Sequence, residues 1–545
     1  MADVKAPDAA RVQAPHPGSQ RMPRWNVDEL IDAPKFRLAN WAALIGPGLV
    51  MGAAAIGGGE WLTGPMVTAR FGGALLWLAT LSILGQVVYN LEICRYTLYT
   101  GEPIFTGKFR TLPGPLFWVF VYLLLDFGSF FPYLAAFAAT PLATALIGEI
   151  PNAASGHGFT ILGRYFDVSH LALMRGLSYA IFLGAMLPLL FGGKVLTALK
   201  WIMSFKLVTV MGFLLVLAFG YSTWDTWVEI FSGFLKFGNV PVIPPDDAAA
   251  ATGGNVDNLF LSLASGRGFP AIDWSVVALL SAMVAIAGSG GLSNTPLSNY
   301  TRDQGWGMGY HVGAIPSMIG GSSIQLSHVG SVFQITKESL RRWHRWYRHV
   351  LRDQLVVWMP ACFVGLALPS MLSAQFLQRG TQVSDKWVAA TMTADGVAEA
   401  VGPRLGSYFW FMTLFCGFLV LAPSMATSVD GVIRRWVDVF WTSSRRLREV
   451  DPKNIRYVYF GVLSVYAVFG IAMLSMNEPQ TLLTIATTIY NFALGFSCWH
   501  TLALNLTLLP RELRPNWFVR VALFLAGLFF WVIATLSALT TLGYL

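Results

Sequence analysis

Two stretches carry most of the chemistry that this sequence offers. Ala55-Ile56-Gly57-Gly58-Gly59-Glu60-Trp61-Leu62-Thr63-Gly64-Pro65 interrupts one apolar run, and Ile286-Ala287-Gly288-Ser289-Gly290-Gly291-Leu292-Ser293-Asn294-Thr295-Pro296 interrupts another. They align without gaps, Gly57 on Gly288, Gly59 on Gly290 and Pro65 on Pro296. Each glycine costs a helix about 1 kcal/mol relative to alanine, so both stretches predict a broken helix. Unwound backbone offers carbonyls to a cation, and the half-helix ends beside it act on charge through their dipoles. Glu60 adds a carboxylate, whose burial at mid-bilayer costs roughly 2.5–3.5 kcal/mol and so implies a use. Two plainer readings compete: glycines that only let helices pack closely, and a glutamate that only caps the half-helix after it. The candidate binding residues are therefore Gly57, Glu60 and Thr63 from the first break, with Ala287, Gly288 and Ser289 from the second.

Three more titratable groups lie in apolar surroundings. Asp126, in Leu124-Leu125-Asp126-Phe127, is a candidate proton or ion relay, or else the acceptor of a buried hydrogen bond. Glu92 and Arg95, three residues apart on one helix face, are a candidate gate or simply a pair. Asp430, beside Arg434 and Arg435, reads as interfacial. His311, His328 and His500 have no ligand partner at useful spacing, so hydrogen-bonded histidines are expected. Cys94, Cys362, Cys416 and Cys498 stand singly, which argues against disulfides and zinc. Phosphate-loop, H-E-x-x-H and G-x-S-x-G motifs are absent, so transport would be driven by an ion gradient or run downhill.

The elements that must hold these residues are membrane spans. Of 545 residues 55% are hydrophobic and 12% charged, against roughly 25% charged in a soluble domain, which excludes a soluble enzyme. Eleven apolar segments suit a bilayer: 41–66, 73–99, 115–147, 176–193, 201–221, 274–299, 354–377, 406–428, 457–476, 480–509 and 516–541. With the amino terminus inside, the inside segments hold 26 Lys and Arg and the outside loops seven, an asymmetry that one missed span would scramble. The first and sixth spans then have opposite orientations, five helices apart, as in inverted-repeat carriers with a midplane substrate site. The expected organisation is a disordered cytoplasmic tail (1–38), a first five-helix repeat (39–221), an extracellular loop (222–273), a second repeat (274–509) with basic cytoplasmic loops 301–353 and 428–456, and an eleventh helix (510–545). The third span is long enough to tilt strongly. Residues 336–353 interleave bases with Trp343, Trp346 and Tyr347; beside a span this reads as a membrane-surface helix, and no nucleic-acid partner is expected.

The run Ile45-Gly46-Pro47-Gly48-Leu49, through Gly57–Glu60, to Gly72-Gly73-Ala74-Leu75-Leu76-Trp77 resembles the first two helices of the Nramp (natural resistance-associated macrophage protein) divalent-metal transporters. The resemblance implies a LeuT-like fold: an all-α polytopic membrane protein, a five-plus-five inverted repeat with an eleventh helix, helices one and six unwound at mid-membrane. Asp126 matches an acidic position of the family's third helix. The departures are as informative. The family's Asp-Pro-Gly-Asn falls on Gly57-Gly58-Gly59-Glu60, its Met-Pro-His-Asn signature is replaced by the Ala287–Asn294 stretch, and a second third-helix acid falls at Ser129. With a carboxylate but no thioether in the break, the donors suit Mg²⁺ or Mn²⁺ better than softer metals, with Met283 one turn away. The resulting expectation is a secondary transporter, not an enzyme. It would move a divalent cation by alternating access, without cofactor, in a bacterial inner membrane, with weak or absent proton coupling. Carriage of amino acids or another small organic solute is the alternative, and a receptor that binds without flux a third reading.

Overall fold

The chain is described by a computed structural model covering residues 12–35, 46–152, 154–161, 164–190, 195–243, 254–314, 326–327, 329–381, 388–451, 454–476 and 479–545. Outside them lie residues 1–11 of the tail, the start of the first span, the Pro244–Gly253 stretch, His328 and Lys386.

Among the described residues nine helical segments are long and apolar enough to cross a membrane, and the first and sixth expected spans are the two broken ones. The first consists of α1 (Pro47–Ala55), a π-helical turn (Gly59–Thr63) and α2 (Gly64–Phe71). Then come α3 (Trp77–Thr100), the short α4 (Ile104–Arg110), α5 (Pro115–Asp126), α6 (Tyr133–Ile147), α7 (His170–Gly184) and α8 (Val195–Tyr221). The sixth span is α9 (Val277–Ile286) and α10 (Pro296–Asp303), with no helix between. The long helices that follow are α11 (Lys337–Arg352), α12 (Met359–Phe376), α13 (Gly406–Ser443), α14 (Ile455–Met476), α15 (Pro479–Leu508) and α16 (Trp517–Thr541). Proline opens α1, α2 and α10 at the first helical turn, where its missing N–H costs nothing.

Three expectations are corrected. The tail is not disordered over residues 12–35: β1 (Gln13–Ala14) pairs antiparallel with β2 (Trp25–Val27), which runs parallel to β7 (Ser331–Val332), and Trp25 and Leu30 are buried. Two further hairpins are β3 (Gly156–Ile161) with β4 (Arg164–Ser169), and β5 (Asn239–Pro241) with β6 (Val256–Asn258). The basic helix α11 is no separate surface helix. A π-helical segment (Asp353–Trp358) joins it to α12. Its Trp343 and Trp346 are buried, Trp346 donating to the Ile31 carbonyl. The eighth span runs to Ser443 instead of ending at 428, so Asp430, Arg434 and Arg435 lie buried on helix α13 and not in an interfacial loop. The third expected span is present over Pro115–Ile147, and a 3₁₀ turn (Phe127–Phe130) separates α5 from α6 within it.

Candidate functional site

The two breaks touch. Gly59 lies so close to the second break that a Cβ on it would overlap the Ile286 carbonyl, and Gly288 holds a φ of 101° that side chains rarely adopt. Between the breaks lies a cavity of about 60 Å³, room for several waters. Gly57, Gly58, Ser289, Tyr133, Ser424 and Arg435 are among its lining residues.

Glu60 is fully buried on the π-helical turn, and its carboxylate bridges the breaks. One oxygen accepts from the Gly57 N–H at 3.0 Å, the other from the Gly288 N–H at 3.2 Å. Lys206 of α8, also buried, interacts with it electrostatically. The other candidates are nearby but differently engaged. Thr63 donates to the Gly59 carbonyl at 3.1 Å, within its own turn. The Ala287 carbonyl accepts from Gln86 Nε2 at 2.7 Å, and the Ser289 N–H donates to Gln86 Oε1 at 2.9 Å. Of these candidates, the Ser289 hydroxyl is buried without a partner. Among the described residues no group of three His, Cys, Asp or Glu side chains could hold a metal ion.

Asp126 takes two hydrogen bonds from Arg435, at 2.7 and 3.2 Å, and one from Trp436 Nε1 at 2.8 Å. Arg435 also donates to the Leu292 carbonyl in the second break, so the acid orients the arginine that lines the cavity. Glu92 and Arg95 pair at 2.8 Å away from it, and Arg95 reaches the Leu513 carbonyl and the Tyr347 hydroxyl. They tie α3 to α11 and to the 3₁₀ turn (Arg511–Leu513) that precedes the last helix. His500 sits between Thr111 Oγ1 and Tyr122 Oη, 2.7 Å from each.

Sequence reasoning missed Lys206, Gln86, Ser424 and Arg435. Lys206 had a signal, a lone base deep in an apolar run, which is by default functional. Gln86 and Ser424 had none, since neutral polar residues are common inside helix bundles.

No family model matches the sequence, and no curated protein matches it. Solved structures do. The manganese transporter of Eremococcus coleocola, in complex with an aromatic bis-isothiourea substituted compound, aligns at 12% identity over 92% of this chain and 88% of its own, with a TM-score of 0.54. A mutant of that transporter aligns at 13% identity over 95% and 91%, with a TM-score of 0.55. The chain thus shares the fold of that transporter.

Proposed function

We propose that this chain is a secondary transporter, and that it carries a small, polar organic solute without net charge through the cavity between its breaks. The observation behind this is the charge balance of the site. Glu60 faces Lys206 and two backbone amides, and Arg435 is matched by Asp126. The remaining polar lining is hydroxyl, from Ser289, Ser293, Ser424, Thr427 and tyrosines 133, 300 and 490. A dication placed there would meet no uncompensated negative charge, whereas the unpartnered Ser289 hydroxyl rewards a solute that hydrogen-bonds to it.

Carriage of Mg²⁺ or Mn²⁺ is the second reading. It is favoured by the Glu60 carboxylate at the break and by the fold shared with a manganese transporter. On that reading Glu60 would leave its amides to bind the ion, with the Ser289 hydroxyl and break carbonyls as further hard donors. Asp126, held by Arg435 and Trp436, supports no proton route on either reading.

Thermal-shift screening separates the two, because a ligand raises stability only by binding the folded state. The expected result is stabilisation by uncharged hydrogen-bonding solutes and none by Mg²⁺ or Mn²⁺, followed by solute uptake into proteoliposomes. Stabilisation and uptake of Mn²⁺, both lost in a folded Glu60→Gln variant, would establish the second reading instead.

A further inference from the structure

Buried arginines of this chain are answered by acids: Arg95 by Glu92, Arg110 by Glu102, Arg302 by Asp438, Arg434 by Asp303 and Arg435 by Asp126. Lys108 is not. It sits on α4, the short helix between the second and third spans, beside the docked segment 12–35, whose Ser19 N–H donates to the Arg110 carbonyl at 2.7 Å. It is fully buried, yet among the described residues no carboxylate lies within salt-bridge distance of it. Lys108 Nζ instead meets the Tyr89 hydroxyl of α3, at 3.2 Å, and the Ser497 hydroxyl of α15, and these two hydroxyls are hydrogen-bonded to each other. The rings of Tyr89 and of Tyr122, on α5, are centred 5.5 and 5.3 Å from Nζ. The remaining ionisable groups that act on it are Cys498 and His500 of α15 and Arg435 of α13.

A carboxylate can only accept, so it holds a base in its charged form; a hydroxyl both donates and accepts. The triangle of Lys108, Tyr89 and Ser497 therefore suits either form of the amine. As an ammonium, Lys108 donates to both oxygens and turns its third N–H to the Tyr122 ring. One hydroxyl then donates to the other, and the proton left over has an acceptor in Thr501 Oγ1, which is buried without a partner beside Tyr89. As a free amine, Nζ accepts a hydroxyl proton instead. Burial penalises the charged form and draws the Lys108 pKa down from 10.5 to about 7. A route for the proton is also present. A cavity of about 360 Å³ is walled by Pro17, Gly18, Thr111, Trp118 and His500, among others. The Thr111 hydroxyl is committed to the Lys108 carbonyl at 2.6 Å, so His500 Nε2 carries a proton and donates to Thr111 at 2.7 Å, while His500 Nδ1 meets the Tyr122 hydroxyl. That hydroxyl in turn neighbours Ser497. Exchangeable side chains thus lead from the cavity wall to the amine.

We propose that Lys108 binds a proton reversibly, by way of this cavity and His500, and that α4 is locked to α3 and α15 when the amine is free and loosened when it is charged. The site lies outside the two breaks, and the proposal does not depend on what they carry. Its sign follows from linkage. Between about pH 7 and pH 10.5 the unfolded chain holds this proton and the folded chain does not, so the contribution of Lys108 to stability rises with pH across that window and is flat below it.

The test compares the purified full chain with Lys108→Met, which keeps most of the side-chain volume without the charge, by unfolding midpoints at pH 7 and pH 9. Between the two, wild type should gain roughly fiftyfold in its folding equilibrium relative to the variant, read as several degrees of midpoint, with all other titrations cancelling in the difference. Parallel pH profiles for the two proteins would overturn the proposal. Ser497→Asp puts a carboxylate beside the amine and should hold it charged, removing the gain; a profile left as in wild type would overturn the proposal too. If neither variant folds, hydrogen exchange of the wild-type protein decides alone. Corrected for intrinsic pH dependence, the amides of residues 104–110 should be better protected at pH 9 than at pH 7, and equal protection would overturn the proposal. Failure of the solute reading shows in uptake assays and leaves these profiles unaffected, so the two failures are distinguishable.

Discussion

Gly59 shows at the level of one residue why the breaks need glycine. Its hydrogen stands where a methyl group would strike the Ile286 carbonyl and crowd the Ala287 nitrogen, and both are backbone atoms that no rotamer change can move. Gly59→Ala should therefore force the breaks apart and cost about 1–3 kcal/mol, the usual price of overpacking. The amides of Gly57 and Gly288 would then no longer both reach Glu60, so the variant should lose transport as well as stability. Parallel measurement of the unfolding midpoint and of solute uptake checks this; wild-type uptake in a destabilised protein would show that contact between the breaks is packing alone. The alignment of the two glycine stretches made the breaks legible in the sequence, because a glycine's cost to a helix is local. Of the counter-charges, Lys206 was legible only as a lone base in an apolar run, and the pairing of neither was. Lys206 and Arg435 reach the site from α8 and α13, far along the chain, and which face of those helices turns inward depends on tertiary packing.

At the scale of elements, the segment 12–35 is the clearest departure from sequence expectation. Its composition is polar and proline-rich, yet Trp25 donates to Glu102 at 3.1 Å, and Arg110 both pairs with Glu102 and donates to the Pro23 carbonyl at 2.6 Å. Downstream, Glu29 and Asp32 meet Arg342 and Arg345 of α11, at 2.6 and 3.0 Å. A segment without a hydrophobic pattern can fold when partners elsewhere in the chain supply its hydrogen bonds, and no local signal announces them. The docking is expected to depend on pH. Burial, with help from Arg110, holds the His16 pKa below its ordinary value of 6.5. The unfolded segment therefore binds a proton more readily than the docked one. His16 contributes full stability above about pH 6.5, and that contribution is lost as the pH falls through the lower, docked value. Hydrogen exchange across residues 16–28, corrected for its intrinsic pH dependence, should be faster at pH 5.5 than at pH 7.5. Equal protection at both values would exclude His16 as the cause.

For the whole molecule, the proposed transport would need bodies that move as units, and buried ion pairs define one such body. Arg302 on α10 meets Asp438 of α13 at 2.7 Å, and Asp303 pairs with Arg434 of α13. Tyr300 of α10 and Tyr459 of α14 donate to Asp430 on α13, at 3.0 and 2.6 Å. Helices α10, α13 and α14 are thereby joined in one network, while α9, across the break, packs against α15 and α16 instead. The second break thus lies between two differently anchored halves of one span, where a hinge would need to be. Such pairs stabilise little in comparison with a well-packed apolar replacement, but losing one partner strands a buried charge at a cost of about 3–5 kcal/mol. Asp438→Asn should therefore lower the unfolding midpoint sharply. Arg302→Met combined with Asp438→Leu should recover most of that loss, because no charge is then left alone. If the body must also move intact, the double variant should keep solute uptake, since apolar contact still couples α10 to α13. Recovery of stability without recovery of uptake would mean that the ion pairs themselves break and re-form during the cycle, and thermal unfolding with proteoliposome uptake on the two variants distinguishes these outcomes.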